Sequence, residues 1–502
     1  MVSERKSAAL AVAIENFLAE CQLPALLERG AAPLALLQDH FRLEVGHKGL
    51  WLEAWDEQRL WSRRILDVKQ PARKRLELEA FRFGKKPIRV SLVDAADGRS
   101  SSALEKTHRS VFAERFSLFL NRHFGSWRLE EYRWEADLEN SQSPLYPTAL
   151  FTRGQEAVAA LGAPPRDTSF HALTFALIYL DLVRKRHGAI CASRLLLYLP
   201  EEHAAPVIAL ARRLEPSLLS VDIWLYSADG HERLLDPADS GNLLSRLSLR
   251  ASRLAGPAWW LDLLAQFPQL ETLEESGGAL SYTIRGYEVA RLVPASPQQL
   301  PTLYWGPRLR HRLHNLATPE ECSSLLAYFA QVDALRHPAS PHRQDPLFTS
   351  SPERWLESSV RANLTEIDPT LTGEVYREVL STEAGDHGRP DHGRADLLAL
   401  TQSGRLVLLE LKATEDIHLP LQAFGYWLRI RQHLLAGDFA SHGYFRGTEL
   451  SRQAPKLYLV APALHFHPTT QGILSFLPKE CPAQIIGLGG DWRQRADVAL
   501  RM

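Results

Sequence analysis

Asp396 opens one apolar run, Leu397 to Leu400, and Glu410 and Lys412 close another that begins at Leu406. Between them Gln402-Ser403-Gly404 is turn chemistry, so the two runs read as the strands of a hairpin. If Thr401 faces Arg405, Asp396 stands directly across from Glu410. Opposed side chains in an antiparallel pair lie about 5 Å apart, a spacing at which two carboxylates can share one divalent cation. Period-two alternation puts Glu410 and Lys412 on one face and Leu411 on the other. Charges at the end of a strand that is apolar on both faces cost several kcal/mol unless they are paired or bound to metal. The plain alternative is an Asp–Lys salt bridge at a strand end.

The elements that must position this set surround it in sequence. Upstream, Ser351-Pro352 predicts a helix start, with Leu356, Val360 and Leu364 on one stripe and Glu353 and Glu357 in the same helix. A strand over 373–380 follows, then the polar loop STEAGDHGRPDHG. Downstream, Gln422 and Tyr426 are four apart and project from one helix face.

In combination these residues resemble the PD-(D/E)xK nuclease superfamily, with its restriction-endonuclease-like fold. The Gln422–Tyr426 helix resembles the QxxxY helix of its RecB-type branch. The Arg394-Ala395-Asp396 strand, Glu410-Leu411-Lys412 and the QAFGYW helix are most similar to the C-terminal domains of archaeal and actinobacterial mismatch endonucleases. The resemblance covers 353–490, and residues 1–340 carry none. It implies that Asp396 and Glu410 ligate Mg²⁺ or Mn²⁺, helped by the Leu411 carbonyl and by Glu357, with Glu353 as second choice. It further implies that Lys412 orients or deprotonates the attacking water, and that Gln422 and Tyr426 position the site and a substrate phosphate. Arg394, on the face of Asp396, is then a phosphate contact. One departure from the pattern is the long loop before Asp396, where Pro390-Asp391 imitates the motif; the hairpin register favours Asp396.

The chemistry agrees with that resemblance. Phosphodiester cleavage calls for a hard cation on oxygen ligands, to lower the pKa of bound water and to neutralise charge growing on phosphate. A lysine beside such a site can shift its pKa and serve near neutrality. Other candidates read as structure. His387 and His392 belong to a polar loop, His465-Phe466-His467 to a solvated corner after a strand, and Asp236–Asn242 to a turn without EF-hand spacing. The GLGG at 487–490 lacks a phosphate-loop lysine.

Around this site the chain has 502 residues, 45% hydrophobic and 23% charged, which excludes a disordered or fibrous protein and predicts several domains. Its 58 lysines and arginines against 59 acids exclude a whole-chain basic footprint, so nucleic-acid binding needs a local patch. Residues 48–89 supply one, with 12 basic and 6 acidic residues, among them Arg73, Lys74 and Arg75, interleaved with Trp61, Phe81 and Phe83. The alternative there is a solvated sheet face. The cysteines at 21, 191, 322 and 481 form no CxxC pair and suit free thiols in a reducing compartment. No apolar run is long enough to span a bilayer, and the opening residues read as an amphipathic helix, so the expected location is cytoplasmic.

The expected fold is multi-domain α+β. A helical segment (1–42) leads into a β-rich basic module (43–94) and an α/β domain (108–235). A mixed connecting region (236–336) and a proline-rich linker (337–352) then precede a mixed sheet flanked by helices (353–490). The order of elements in 108–235 echoes that in 353–490. EAVAALGAP takes the place of LVLLELKAT, and Tyr179 falls near Tyr426, but the first copy has no E-x-K and no Gln422 counterpart. This suggests a duplicated nuclease fold whose first copy has lost its metal site, against the alternative that α/β segments alternate alike. The function expected is a divalent-metal-dependent nuclease acting on nucleic acid, with DNA the expected substrate; the competing reading is an idle nuclease fold that binds nucleic acid or scaffolds.

Overall fold

The computed structural model describes residues 2–21, 24–28, 34–36, 41–46, 49–55, 60–69, 75–81, 87–94, 98–135, 137, 139–165, 170–187, 191–243, 245–249, 258–275, 278–293, 302–313, 319–381 and 395–502. These fall into two units. One comprises Met1–Asp167, Val183–Glu201 and Ile223–Leu234; the other comprises Thr168–Leu182, Glu202–Asp222 and Leu235–Met502. No described helix is long and apolar enough to cross a membrane.

In the first unit, helix α1 (Val2–Glu20) buries Ala11, Ile14, Phe17 and Leu18 in one core with the strands that follow. Those strands are β1 (Pro24–Glu28), β2 (Leu34–Ala35), β3 (Phe41–Gly46), β4 (Gly49–Trp55), β5 (Leu60–Val68), β6 (Arg75–Phe81) and β7 (Ile88–Asp94). They form an antiparallel sheet of order β2-β1-β7-β6-β5-β4-β3. Alternation works as expected in β6, where Leu76, Leu78 and Ala80 are buried. Residues 1–42 are not helical throughout. The apolar residues at 26 and 27 lie in β1, whose backbone pairs with β7 along its whole length. An apolar run this short fits either period, and the ladder decides it.

A second sheet follows helix α2 (Gly98–Phe124). Its elements are β8 (Arg128–Arg133), β9 (Thr148–Arg153), β10 (Glu156–Gly162), α3 (His171–Arg186), β11 (Cys191–Pro200), α4 (Ala205–Ala211), β12 (Ser220–Tyr226) and β13 (Glu232–Leu234). The order is β8-β9-β10-β11-β12-β13, antiparallel at β8–β9, β9–β10 and β12–β13 and parallel at β10–β11. Phe112, Phe116 and Phe119 of α2 share a core with Phe151, Val158 and Tyr198 of the sheet.

In the second unit β14 (Arg246–Leu247) and helix α5 (Ala258–Ala265) precede a five-stranded antiparallel meander. Its strands are β15 (Leu270–Glu274), β16 (Leu280–Ile284), β17 (Tyr287–Val293), β18 (Thr302–Trp305) and β19 (His311–Leu313), with helix α6 (Pro319–Leu335) after them. The connecting region therefore has a core of its own. Residues 337–352, expected as a linker, are packed rather than free. The fully buried Arg336 guanidinium donates to the carbonyls of Arg285, Leu347 and Ser350, and Phe348, in the short helix α7 (Pro346–Thr349), is buried against Trp355. Prolines remove periodicity from the sequence without preventing side-chain anchoring.

The last sheet is built from α8 (Pro352–Ala362), α9 (Leu364–Ile367), β20 (Leu371–Arg377), β21 (Leu380–Ser381), β22 (Leu397–Thr401), β23 (Leu406–Leu411), α10 (Leu419–Ala436), α11 (Asp438–Ser441), β24 (Lys456–Pro462), α12 (Thr470–Leu474), β25 (Ala483–Leu488) and β26 (Val498–Arg501). Its order is β20-β22-β23-β24-β25-β26, antiparallel at β20–β22, β22–β23 and β25–β26 and parallel at β23–β24 and β24–β25. Strands β22 and β23 are buried at every position, as central strands covered on both faces must be. Leu356 and Val360 of α8 join this core; Leu364 does so from α9, because the first helix stops at Ala362. The strand order matches that of the middle sheet, in line with the echo in the sequence.

Candidate active site

The hairpin fixes the geometry. Thr401 N–H donates to the Arg405 carbonyl at 2.9 Å, and Leu397 pairs with Leu409. Continued by one residue, this register sets Asp396 against Glu410, just beyond the last ladder pair. There side chains replace backbone acceptors. Leu411 N–H donates to Asp396 Oδ2 at 2.8 Å, and Asp396 N–H bonds to the Glu410 carboxylate. Glu410 is 1% exposed, and its Oε2 has no hydrogen-bond partner among the described residues.

Burial dominates the electrostatics. It pushes the Asp396 carboxyl up to about 7; the Leu411 N–H opposes the shift, and the charge of Glu357 adds to it. Burial, then the charge of Asp396, drives Glu410 well above its ordinary value. Two acids forced together out of water, with one oxygen left over, make a donor set that fits a hard divalent cation. At Lys412, burial works against the charge, but Glu410 and Asp416 outweigh it and hold the amine above its usual range. Its Nζ lies 3.3 Å from Asp416 Oδ2. The shift is thus opposite to the depression expected for a lysine base, and the side chain stands as an ammonium.

Helix α10 brings up the remaining polar face. In the turn that leads into it, Asp416 Oδ1 accepts from the N–H of His418, the N-cap residue, at 2.8 Å. Gln422 Nε2 donates to Tyr426 Oη at 3.3 Å, and burial together with the charge of Glu410 raises the Tyr426 phenol. Tyr426 therefore senses the carboxylate pair directly.

Glu357 is placed differently from expectation. It is buried, and its charge reaches Asp396, but its oxygens are taken by arginines: Arg354 Nη1 at 3.0 Å, Arg377 Nη2 at 3.2 Å, and Arg377 Nε. Glu353 accepts from Thr414 Oγ1 at 3.5 Å. Among the described residues no three His, Cys, Asp or Glu side chains are grouped to hold a metal. At Leu411 it is the N–H that meets Asp396. A cleft of about 520 Å³ opens beside Glu357, lined by Arg291, Arg308, Arg354 and Arg377 with Glu275, Glu288 and Glu378.

Arg394, Arg73 and Lys74 lie outside the described residues. Arg75 is half-exposed and already paired, 2.8 Å from Glu77 Oε1 and 2.9 Å from Ser91 Oγ. The expected solvated corner is tied down: His465 Nδ1–H donates to the Ala413 carbonyl at 2.7 Å, and His467 lies 3.6 Å from Glu415. Sequence reasoning missed Asp416, Arg354 and Arg377. The four-residue spacing of Lys412 and Asp416 was a usable signal; the arginines, on separate elements, left none.

No protein-family model and no curated protein matches the chain. Among solved structures, a repair endonuclease from Pyrococcus abyssi is similar at 12% identity over 36% of this chain and 76% of that one, with a TM-score of 0.14. A likeness that slight carries no argument about this chain.

Proposed function

We propose that the protein is a divalent-metal-dependent nuclease that hydrolyses phosphodiester bonds, with DNA as substrate, and that its centre is the end of the β22–β23 hairpin. The observation that carries this reading is the Asp396–Glu410 pair, in which Glu410 is buried and its Oε2 lacks a hydrogen-bond partner among the described residues, flanked by an ammonium and a phenol. Asp396 and Glu410 would hold Mg²⁺ or Mn²⁺. Bound there, such a cation would lower the pKa of a coordinated water and offset charge on the phosphate. The Lys412 ammonium donates to a phosphate oxygen and stabilises the charge that builds there. Gln422 and Tyr426, hydrogen-bonded to each other on one face of α10, bring a phenol within electrostatic reach of Glu410. Glu357 acts through Arg354 and Arg377, orienting two side chains of the neighbouring cleft.

Purified protein should cut DNA with Mg²⁺ or Mn²⁺ and stop with EDTA. Lys412→Ala should slow cutting by about 10³-fold with DNA affinity nearly unchanged and a cooperative unfolding transition retained. Equal cutting by wild type and variant would sink the assignment. DNA binding without cutting in any divalent cation would make the chain an idle nuclease fold, a reading that the arginine-bound Glu357 favours.

A further inference from the structure

The middle sheet can be aligned with the last one through a bond that both make at the same strand junction. In the last sheet Glu410 pairs with Leu459 across the parallel ladder, and Lys412 N–H donates to the Val460 carbonyl at 3.0 Å. In the middle sheet Leu161 pairs with Leu197, and Ala163 N–H donates to the Tyr198 carbonyl at 2.9 Å. The same bond at the same strand junction makes Ala163 the counterpart of Lys412 and Leu161 that of Glu410. Across its hairpin Leu161 pairs with Thr148, which therefore stands for Asp396. Thr148, Leu161 and Ala163 are all buried, and the Ala163 carbonyl is closed off by the Tyr226 hydroxyl, which donates to it at 2.7 Å.

The helices carry the repeat further. His171 opens α3 and His418 immediately precedes α10, and these counterparts stack on each other with ring centroids 3.7 Å apart. Asp181 of α3 lies against Gly472 of α12, and Leu210 of α4 lies against Gly425 of α10. Each copy's long helix thus meets the other copy's short one, with a residue touching its own counterpart between them. That reciprocity is the mark of an isologous contact.

We infer that this is a two-copy nuclease fold with a single working centre, which nicks one strand of duplex DNA per encounter and does not make a double-strand break. This rests on the nuclease reading above. Each cut consumes one water. Its oxygen bonds to phosphorus, one P–O ester bond breaks, and its protons end on the freed hydroxyl and on the phosphate or solvent. Threonine, leucine and alanine offer no carboxylate to hold a cation and no ammonium to meet the charge, so among the described residues the first copy gives the second strand no such centre.

The test is a time course on supercoiled circular DNA with the full chain, dilute, in Mg²⁺. Open circles should accumulate first, and linear molecules should appear only with a lag, as independent nicks coincide. Linear DNA formed from the start at the rate of open circles would overturn the inference while leaving the nuclease reading intact. Calorimetric titration with Mn²⁺ gives a readout apart from cutting. Glu410→Gln should abolish binding, and a retained second set of sites in that variant would also overturn the inference. No cutting at all would remove the nuclease reading and this inference with it.

Discussion

The two hairpin ends, Thr148–Leu161–Ala163 and Asp396–Glu410–Lys412, make the same backbone bond to the next strand and differ in what they bury. In the first, a buried threonine and leucine face each other and the following N–H finds a carbonyl. Nothing charged is taken out of water. In the second, two carboxylates and an ammonium occupy the same frame, and an oxygen of Glu410 goes without a partner. In the first corner the backbone closes on itself, whereas in the second a carboxylate takes the place of a backbone acceptor.

The largest effect should come from forcing the middle hairpin towards the other. Leu161→Glu places a carboxylate where Ala163 and Thr148 stand in for the lysine and the aspartate, so no ammonium balances it. It should destabilise by about 3–5 kcal/mol, read by urea unfolding. A cost below about 1 kcal/mol would mean that the two corners are more alike than their burial suggests.

The reverse change is smaller. Glu410→Gln removes an acid whose ionisation burial opposes, so without divalent cation it should stabilise by about 1–2 kcal/mol. Added Mg²⁺ should invert the order. A cation at about 100 times its dissociation constant stabilises the wild type by roughly 2.7 kcal/mol, and the variant gains nothing. Thermal melts with and without EDTA check both signs.

Much of this corner was legible in the sequence alone. The turn residues between Thr401 and Arg405 set the register, and the register set Asp396 against Glu410, because a hairpin transmits its pairing strictly along both strands. The order of elements in the two copies was readable for a similar reason, since each long element has its own hydrophobic period. Three things were not. Strand β9 (TALFTR) had no alternation to distinguish it from a loop, being buried at five successive positions. Glu357 looked available because its partners, Arg354 and Arg377, meet it only through helix packing and sheet order. The segment 337–352 looked free because its anchors, Arg336 and Phe348, bond through a guanidinium and a ring that have no periodic signature.

A subtler difference between the two corners lies in pH. Asp396 titrates higher in the folded chain, up to about 7 against an ordinary 3.8, so the folded state binds that proton more tightly. Its contribution is therefore full below about pH 4 and is lost as pH rises through 7. In EDTA, wild type should lose stability relative to Asp396→Asn over that window. His418, lowered to about 4 by burial and then by His171, runs the other way, losing its contribution as pH falls from about 6.5. It is present in both proteins and cancels in the difference. A flat difference across pH 4–7 would mean that Asp396 is not held protonated.

The cutting, nicking and Mg²⁺ expectations depend on the chain having one cation centre, between Asp396 and Glu410. Anomalous scattering from a crystal soaked in Mn²⁺ locates such a centre without reference to cutting. A manganese peak should appear within bonding distance of both carboxylates, with Lys412 alongside, and none at Thr148 and Leu161. A peak held by other residues, or none at the hairpin end with Mn²⁺ in excess, would contradict the one-centre reading.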